Sequence, residues 1–236
     1  MNMHFQKEIE NLKKKILTQC AFVEENLALA VASFAAQDRG KARKVIADDK
    51  VIDQREIDIE EECLKLLALY QPVAADLRYI VICLKVNNDL ERIGDLSCNI
   101  AERTLNLVER AEELAWHQQL DFEEMTTKTQ LMMKSTLDSL VRNDAMLALE
   151  VIGRDDEIDR LNSDFHDRIT ELIRRDPEHT EMYIPQLSVS KQLERIADIS
   201  TNICEDVIYM VTGNIVRHTD LEHPEHFAVG KVDAKK

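Results

Sequence analysis

The chain of 236 residues could hold one large or two medium domains, and its 44% apolar content is ample for a buried core. With 30 basic against 45 acidic residues its net charge is −15, which repels phosphate backbones and anionic lipid headgroups and argues against nucleic-acid or direct membrane binding. Five Gly, four Pro and only 5% aromatic residues exclude a turn-rich β architecture and indicate an all-α protein.

Along the chain, Ile9, Leu12, Ile16, Cys20, Val23, Leu27, Ala30 and Phe34 recur at steps of three and four and predict a first helix over 5–36, closed by Asp38-Arg-Gly40. A second over 41–69 carries Val45, Ile52, Ile59, Cys63 and Leu66 on one side and stops at Gln71-Pro72, because proline suits a first helical turn and not an interior. A long third helix follows over 73–114. The polar, aperiodic Trp116-His-Gln-Gln-Leu-Asp121 reads as a connection between halves. Helices over 122–142, 145–174 and 181–212 then repeat the order, with Asp176-Pro177 in the loop before the last and Pro185 placed to begin or bend it. Gly213-Asn214 closes the array, and the charged, unpatterned remainder is expected to be mobile. The expected organisation is a three-helix bundle over 1–116, a second over 117–216 and a tail over 217–236.

Nothing in the chain reaches 18 uncharged apolar residues, and Met1-Asn-Met-His-Phe-Gln-Lys-Glu8 lacks the apolar centre of a signal peptide, so a cytoplasmic location is expected. Cys20, Cys63, Cys83, Cys98 and Cys204 form no Cys-x-x-Cys pair and read as reduced thiols packed in the core.

The two halves share a motif. Asp89-Leu-Glu-Arg-Ile-Gly-Asp-Leu-Ser-Cys-Asn-Ile-Ala-Glu102 matches Gln192-Leu-Glu-Arg-Ile-Ala-Asp-Ile-Ser-Thr-Asn-Ile-Cys-Glu205 at a spacing of 103 residues. Further upstream Leu27, Phe34, Asp38, Val45, Asp49 and Asp53 match Met133, Leu140, Asp144, Val151, Asp155 and Asp159 at 106, so the loop between second and third helices is three residues shorter in the second half. At about 100° per residue, Glu91, Asp95 and Glu102 fall within ~40° of one another beside the stripe Val86, Leu90, Ile93, Ile100, Leu107. Each half therefore offers an Asp-x-x-x-Asp from its second helix (Asp49 and Asp53; Asp155 and Asp159) and a Glu-x-x-x-Asp from its third (Glu91 and Asp95; Glu194 and Asp198).

Two carboxylates about 5 Å apart repel by roughly 3 kcal/mol at an effective dielectric of 20. A hard cation relieves this while satisfying the oxygens, with Mg, Ca, Mn, ferric iron or Zn all suited to such ligands. The competing reading has Arg92 and Arg195 neutralise the acids in surface salt bridges. A ferritin-like dimetal enzyme requires Glu-x-x-His, which is absent; His166 lies on the acidic face but reads as a surface residue, and no phosphate loop or nucleophile elbow occurs. No enzyme is expected.

The paired Leu-Glu-Arg-Ile-(Gly/Ala)-Asp segments with their following Asn-Ile, Gln71-Pro-Val-Ala-Ala-Asp-Leu-Arg78, Asn202-Ile-Cys-Glu-Asp-Val-Ile-Tyr-Met-Val-Thr-Gly213 and Arg217-His218 together resemble the PhoU family of phosphate-uptake regulators. The resemblance implies two tandem three-helix bundles with multinuclear iron or zinc clusters, Asp49, Asp53, Glu91 and Asp95 serving the first and Asp155, Asp159, Glu194 and Asp198 the second. Where many members carry His after the motif Asp, Leu96 and Ile199 stand here, so the carboxylate version is favoured. It further implies a negative regulator of the phosphate-starvation response that couples the ATPase subunit of a phosphate ABC transporter to a phosphate-sensing histidine kinase. Such a protein would meet the membrane only through its partners; separately, the long amphipathic bundles lead to the expectation of a homodimer. A metal-binding or storage module is the alternative.

Overall fold

The computed structural model describes residues 3–114 and 120–216; most of the expected connection around Trp116 and all of the expected tail lie outside the described residues. Among the described residues there is no strand. The helices α1 (Met3–Ala35), α2 (Arg39–Tyr70) and α3 (Ala74–Leu114) pack on one another as one bundle, and α4 (Glu123–Arg142), α5 (Ala145–Ile152), α6 (Asp155–Arg175) and α7 (Thr180–Thr212) as the other. The residues predicted for burial are buried: Leu12, Val23 and Leu27 on α1, Val45, Ile52 and Leu66 on α2, and Leu90, Ile93 and Leu107 on α3; Leu193, Ile196 and Val207 on α7 are buried as well. Together they form one continuous core across both bundles.

The turn before the second helix is built the same way in both halves. Gln37 and Asn143 take the left-handed conformation (φ 50° and 53°), after which Asp38 accepts from the Gly40 and Lys41 amides and Asp144 from those of Met146 and Leu147. These aspartates cap α2 and α5, satisfying amides that have no partner within the helix. The backbone N–H groups of Asp38 and Asp144 donate to Ser33 and Ser139, which also correspond.

The halves differ beyond that turn. The helix expected to run unbroken over 145–174 is interrupted at Gly153-Arg154, giving α5 and α6. Gly153 stands where the first half has Ala47, at a cost of about 1 kcal/mol of helix propensity. There the backbone tightens to three-residue bonds, from Arg154 N–H to Val151 and from Glu157 N–H to Arg154. A new helix then starts with Asp155, Asp156 and Glu157 in its first turn, where acids complement the helix dipole. The loop expected to be shorter is not: residues 176–179, with a 3₁₀ turn at Pro177–His179, link α6 to α7 where 71–73 link α2 to α3. The three-residue difference is taken up at the helix ends, and α7 begins at Thr180 and runs through Pro185.

The bundles are joined chiefly by α3 lying against α7. Lys85 pairs with the 2% exposed Asp206 at 3.0 Å, Arg103 Nε donates to Ser188 at 3.3 Å, and Arg110 pairs with Glu181. Each advance along α3 is matched by an equal retreat along α7, so the two are antiparallel in constant register. That register sets residue 94 level with residue 197, which the repeat also pairs. A pseudo-twofold axis therefore passes between Gly94 and Ala197.

Candidate metal centre

In the first bundle Asp49 and Asp53 of α2 and Asp95 of α3 can each bring an oxygen within 4.8 Å of the others; in the second, Asp159 of α6 with Glu194 and Asp198 of α7 do the same. The structure thus gathers three of the four predicted acids in each half. Glu91 and Asp155 stay outside the tight groups but within electrostatic reach of them. Helix approach explains the first group: a Cβ on Gly94 would lie 2.8 Å from Ile52 Cδ1, so glycine lets α3 settle onto α2 between Asp49 and Asp53. In the second bundle Ala197 faces this way, and the break at Gly153 moves Asp155 to a helix start.

The acids strain one another. Burial first, then Asp53 and Asp95, push Asp49 up to about 6, against the pull of a hydrogen bond from the Cys98 thiol. Burial, then Asp159 and Asp198, likewise push Asp155 up to about 6. Glu91, Asp95 and Asp198 are also raised, in each case by burial first and neighbouring carboxylates second. Compensation from the protein is thin. Among the described residues the only ion pair to these eight carboxylates is Lys191 on Glu194, at 2.6 Å. Arg92 is bound to Asp89 at 3.2 Å instead, so the salt-bridge reading of the acids does not hold for it.

Asp155 Oδ1 and Glu194 Oε2 are buried without a hydrogen-bond partner, so the second cluster holds acceptors that nothing in the protein satisfies. This all-oxygen donor set, with its repulsion unrelieved, fits a hard cation. In the first cluster Cys98 adds a sulfur beside Asp49, where the second repeat has Thr201. Reading Cys98 as core missed this; its place three residues past Asp95, on the acidic face, was the available signal. The other four cysteines are buried and free. His166 is a surface residue, 3.8 Å from Asp167 and outside both groups.

The two clusters are neighbours. Asp95 and Asp198 line one groove of about 570 Å³ on the pseudo-twofold axis, together with Arg92, Leu96 and Asn99 of α3 and Arg195, Ile199 and Asn202 of α7. The repeated motif builds this groove twice over from equivalent residues. Sequence reasoning missed it because it depends on how the bundles dock.

The PhoU domain is matched over residues 7–104 and 122–207, one match for each bundle. The chain belongs to the PhoU family. The PhoU homolog 1 of Thermotoga maritima, a phosphate-specific transport system accessory protein, is 35% identical over 212 residues, covering 90% of both chains. The Escherichia coli PhoU accessory protein is 28% identical over 229 residues, 96% of this chain and 93% of its own. The crystal structure of Pseudomonas aeruginosa PhoU superposes with a TM-score of 0.82 at 33% identity, covering 89% of this chain and all of that one. The phosphate transport system regulatory protein PhoU of Streptococcus pneumoniae gives 0.81 at 29%. The all-α, two-bundle architecture is thus that of PhoU, and the role belongs with phosphate transport. By name these relatives are accessory and regulatory proteins.

Proposed function

We propose that this PhoU protein is a cytoplasmic, non-enzymatic negative regulator of phosphate uptake and of the phosphate-starvation response. It acts as an adaptor between the ATPase subunit of a phosphate ABC transporter and a phosphate-sensing histidine kinase. The observation that carries this is the family match through both bundles, with relatives named for the phosphate-specific transport system over nine-tenths of the chain. No described helix is long and apolar enough to cross a membrane, and the charge of −15 disfavours anionic lipid, so attachment runs through partners. Deletion is expected to de-repress phosphate-scavenging genes in phosphate-rich medium, and the transporter ATPase or the kinase to co-purify with the chain from membranes. Unchanged expression together with no captured partner would overturn the reading.

Each acid cluster is proposed to hold cations, iron or zinc in the first instance, with Mg, Mn and Ca also suited to the oxygens. Asp49, Asp53 and Asp95, with Glu91 alongside, serve the first, and Asp159, Glu194 and Asp198, with Asp155 alongside, the second. A bound cation supplies positive charge that cancels carboxylate repulsion and stiffens the contact between helices. A metal-storage role is favoured by the unsatisfied oxygens alone. Regulation that survives loss of all cations in Asp53→Asn/Asp95→Asn/Asp159→Asn/Asp198→Asn would separate storage from signalling.

A further inference from the structure

The groove on the pseudo-twofold axis is lined by two arginines, Arg92 and Arg195, and two asparagines, Asn99 and Asn202. The seam register places Arg92 level with Ile199, next to Asp198, and Arg195 level with Leu96, next to Asp95. Arg92 and Arg195 thus line the same groove as the opposite bundle's Asp198 and Asp95, while Arg195 also lies within electrostatic reach of Asp198 on its own helix. Among the described residues no ion pair closes that gap: Arg92 holds Asp89, and Arg195 has no ion-pair partner.

We propose that this groove binds orthophosphate, in two equivalent half-sites, each spanning from the arginine of one bundle to the cation-loaded acid cluster of the other. The inference rests on the cation reading given above. With a cation on each cluster, a guanidinium would face a like charge across the groove, and an intervening anion turns both contacts favourable. Arginine presents a planar fork of N–H donors matched to tetrahedral oxyanions, and the side-chain amides of Asn99 and Asn202 add neutral donors on the same walls. Three carboxylates leave a six-coordinate cation positions open to an anion oxygen. The cavity of about 570 Å³ accommodates two such ions with water.

Asp95 and Asp198 decide between oxyanions. Near neutral pH orthophosphate keeps a P–O–H proton and can donate to a carboxylate, whereas sulfate has none and meets only repulsion there. A groove that mixes guanidinium, amide and carboxylate groups selects phosphate over sulfate. Because each ion touches both bundles, its occupancy bears directly on how tightly they are held together.

The test is equilibrium dialysis of the full chain, loaded with Mn²⁺, against orthophosphate and separately against sulfate, with bound manganese measured by elemental analysis. Orthophosphate is expected to bind at two per chain and sulfate at least tenfold more weakly. Arg92→Gln/Arg195→Gln should weaken orthophosphate at least tenfold with manganese content unchanged, and Arg92→Lys/Arg195→Lys should fall between. Manganese uptake without phosphate binding, equal binding of sulfate, or full binding by the glutamine variant overturns this inference alone. A chain that takes up no cation overturns it together with the metal reading.

Discussion

The two acid clusters carry the same motif and are not built alike. The first takes two carboxylates from α2 and one from α3; the second takes one from α6 and two from α7. Three local differences account for the shift. Gly94 lets α3 sit down on Ile52 where the second bundle has Ala197, α2 is continuous where α5 and α6 are broken, and Lys191 draws Glu194 at a position held by Asn88 in the first half. A repeated motif thus fixes which helix faces meet, while small neighbours fix which oxygens converge.

The largest effect expected from separating the clusters is on cation content. Asp53→Asn/Asp95→Asn should empty the first cluster and leave the second loaded, and Asp159→Asn/Asp198→Asn the reverse, read by elemental analysis after dialysis. Loss of both cations from either variant would mean the clusters act as one. Gly94→Ala should next expose the difference in helix approach. Overpacking against buried Ile52 costs about 1–3 kcal/mol, offset by about 1 kcal/mol of helix propensity. A net loss of roughly 1 kcal/mol in urea unfolding is expected, with weaker cation binding at the first cluster only.

The metal-free chain should also lose stability as pH rises. Asp49 and Asp155 have folded-state pKa values near 6, above the ordinary 3.8, so the folded chain binds more protons in that window. Their favourable contribution is complete below about 3.8 and gone above about 6, of order 1 kcal/mol each after discounting for solvent screening. Asp49→Asn should remove the first share alone, seen in melting temperature against pH. A smaller contrast lies in the thiol, which burial and then Asp49, Glu102 and Asp95 push up to about 12. Cys98, the one cysteine not fully buried, should react slowly with iodoacetamide, and a few-fold faster in Asp49→Asn. The smallest is in the shared turn: Gln37→Gly should stabilise by about 0.5 kcal/mol and Asn143→Gly by less, because asparagine tolerates the left-handed region better than glutamine.

Much of this was legible because it is local. The pairing of Asp38 with Asp144 at equal spacing reappears as two helix caps with matching bonds, and the apolar stripe of α3 is the buried one. The break at Gly153 was not legible, since a lone glycine inside a helical pattern is often carried through. Helical spacing put Glu91 on the right face but could not tell that α2, drawn in by Gly94, meets Asp95 instead. The groove was out of reach for a stronger reason: the contacts that set it, such as Lys85 with Asp206, lie 121 positions apart.

Those seam contacts also decide which half a half will accept. The twofold relation maps the pair Lys85–Asp206 onto Ser188–Arg103, and Arg110–Glu181 onto Gly213–Arg78, whose guanidinium carbon lies 3.9 Å from where a Cβ on Gly213 would stand. Two first halves docked in the same manner would therefore oppose Lys85 to Arg103 and Arg110 to Arg78, cation against cation, while two second halves would leave Asp206 beside Ser188. Produced as separate polypeptides and mixed, the halves should choose each other over themselves, a lock and key written in charge.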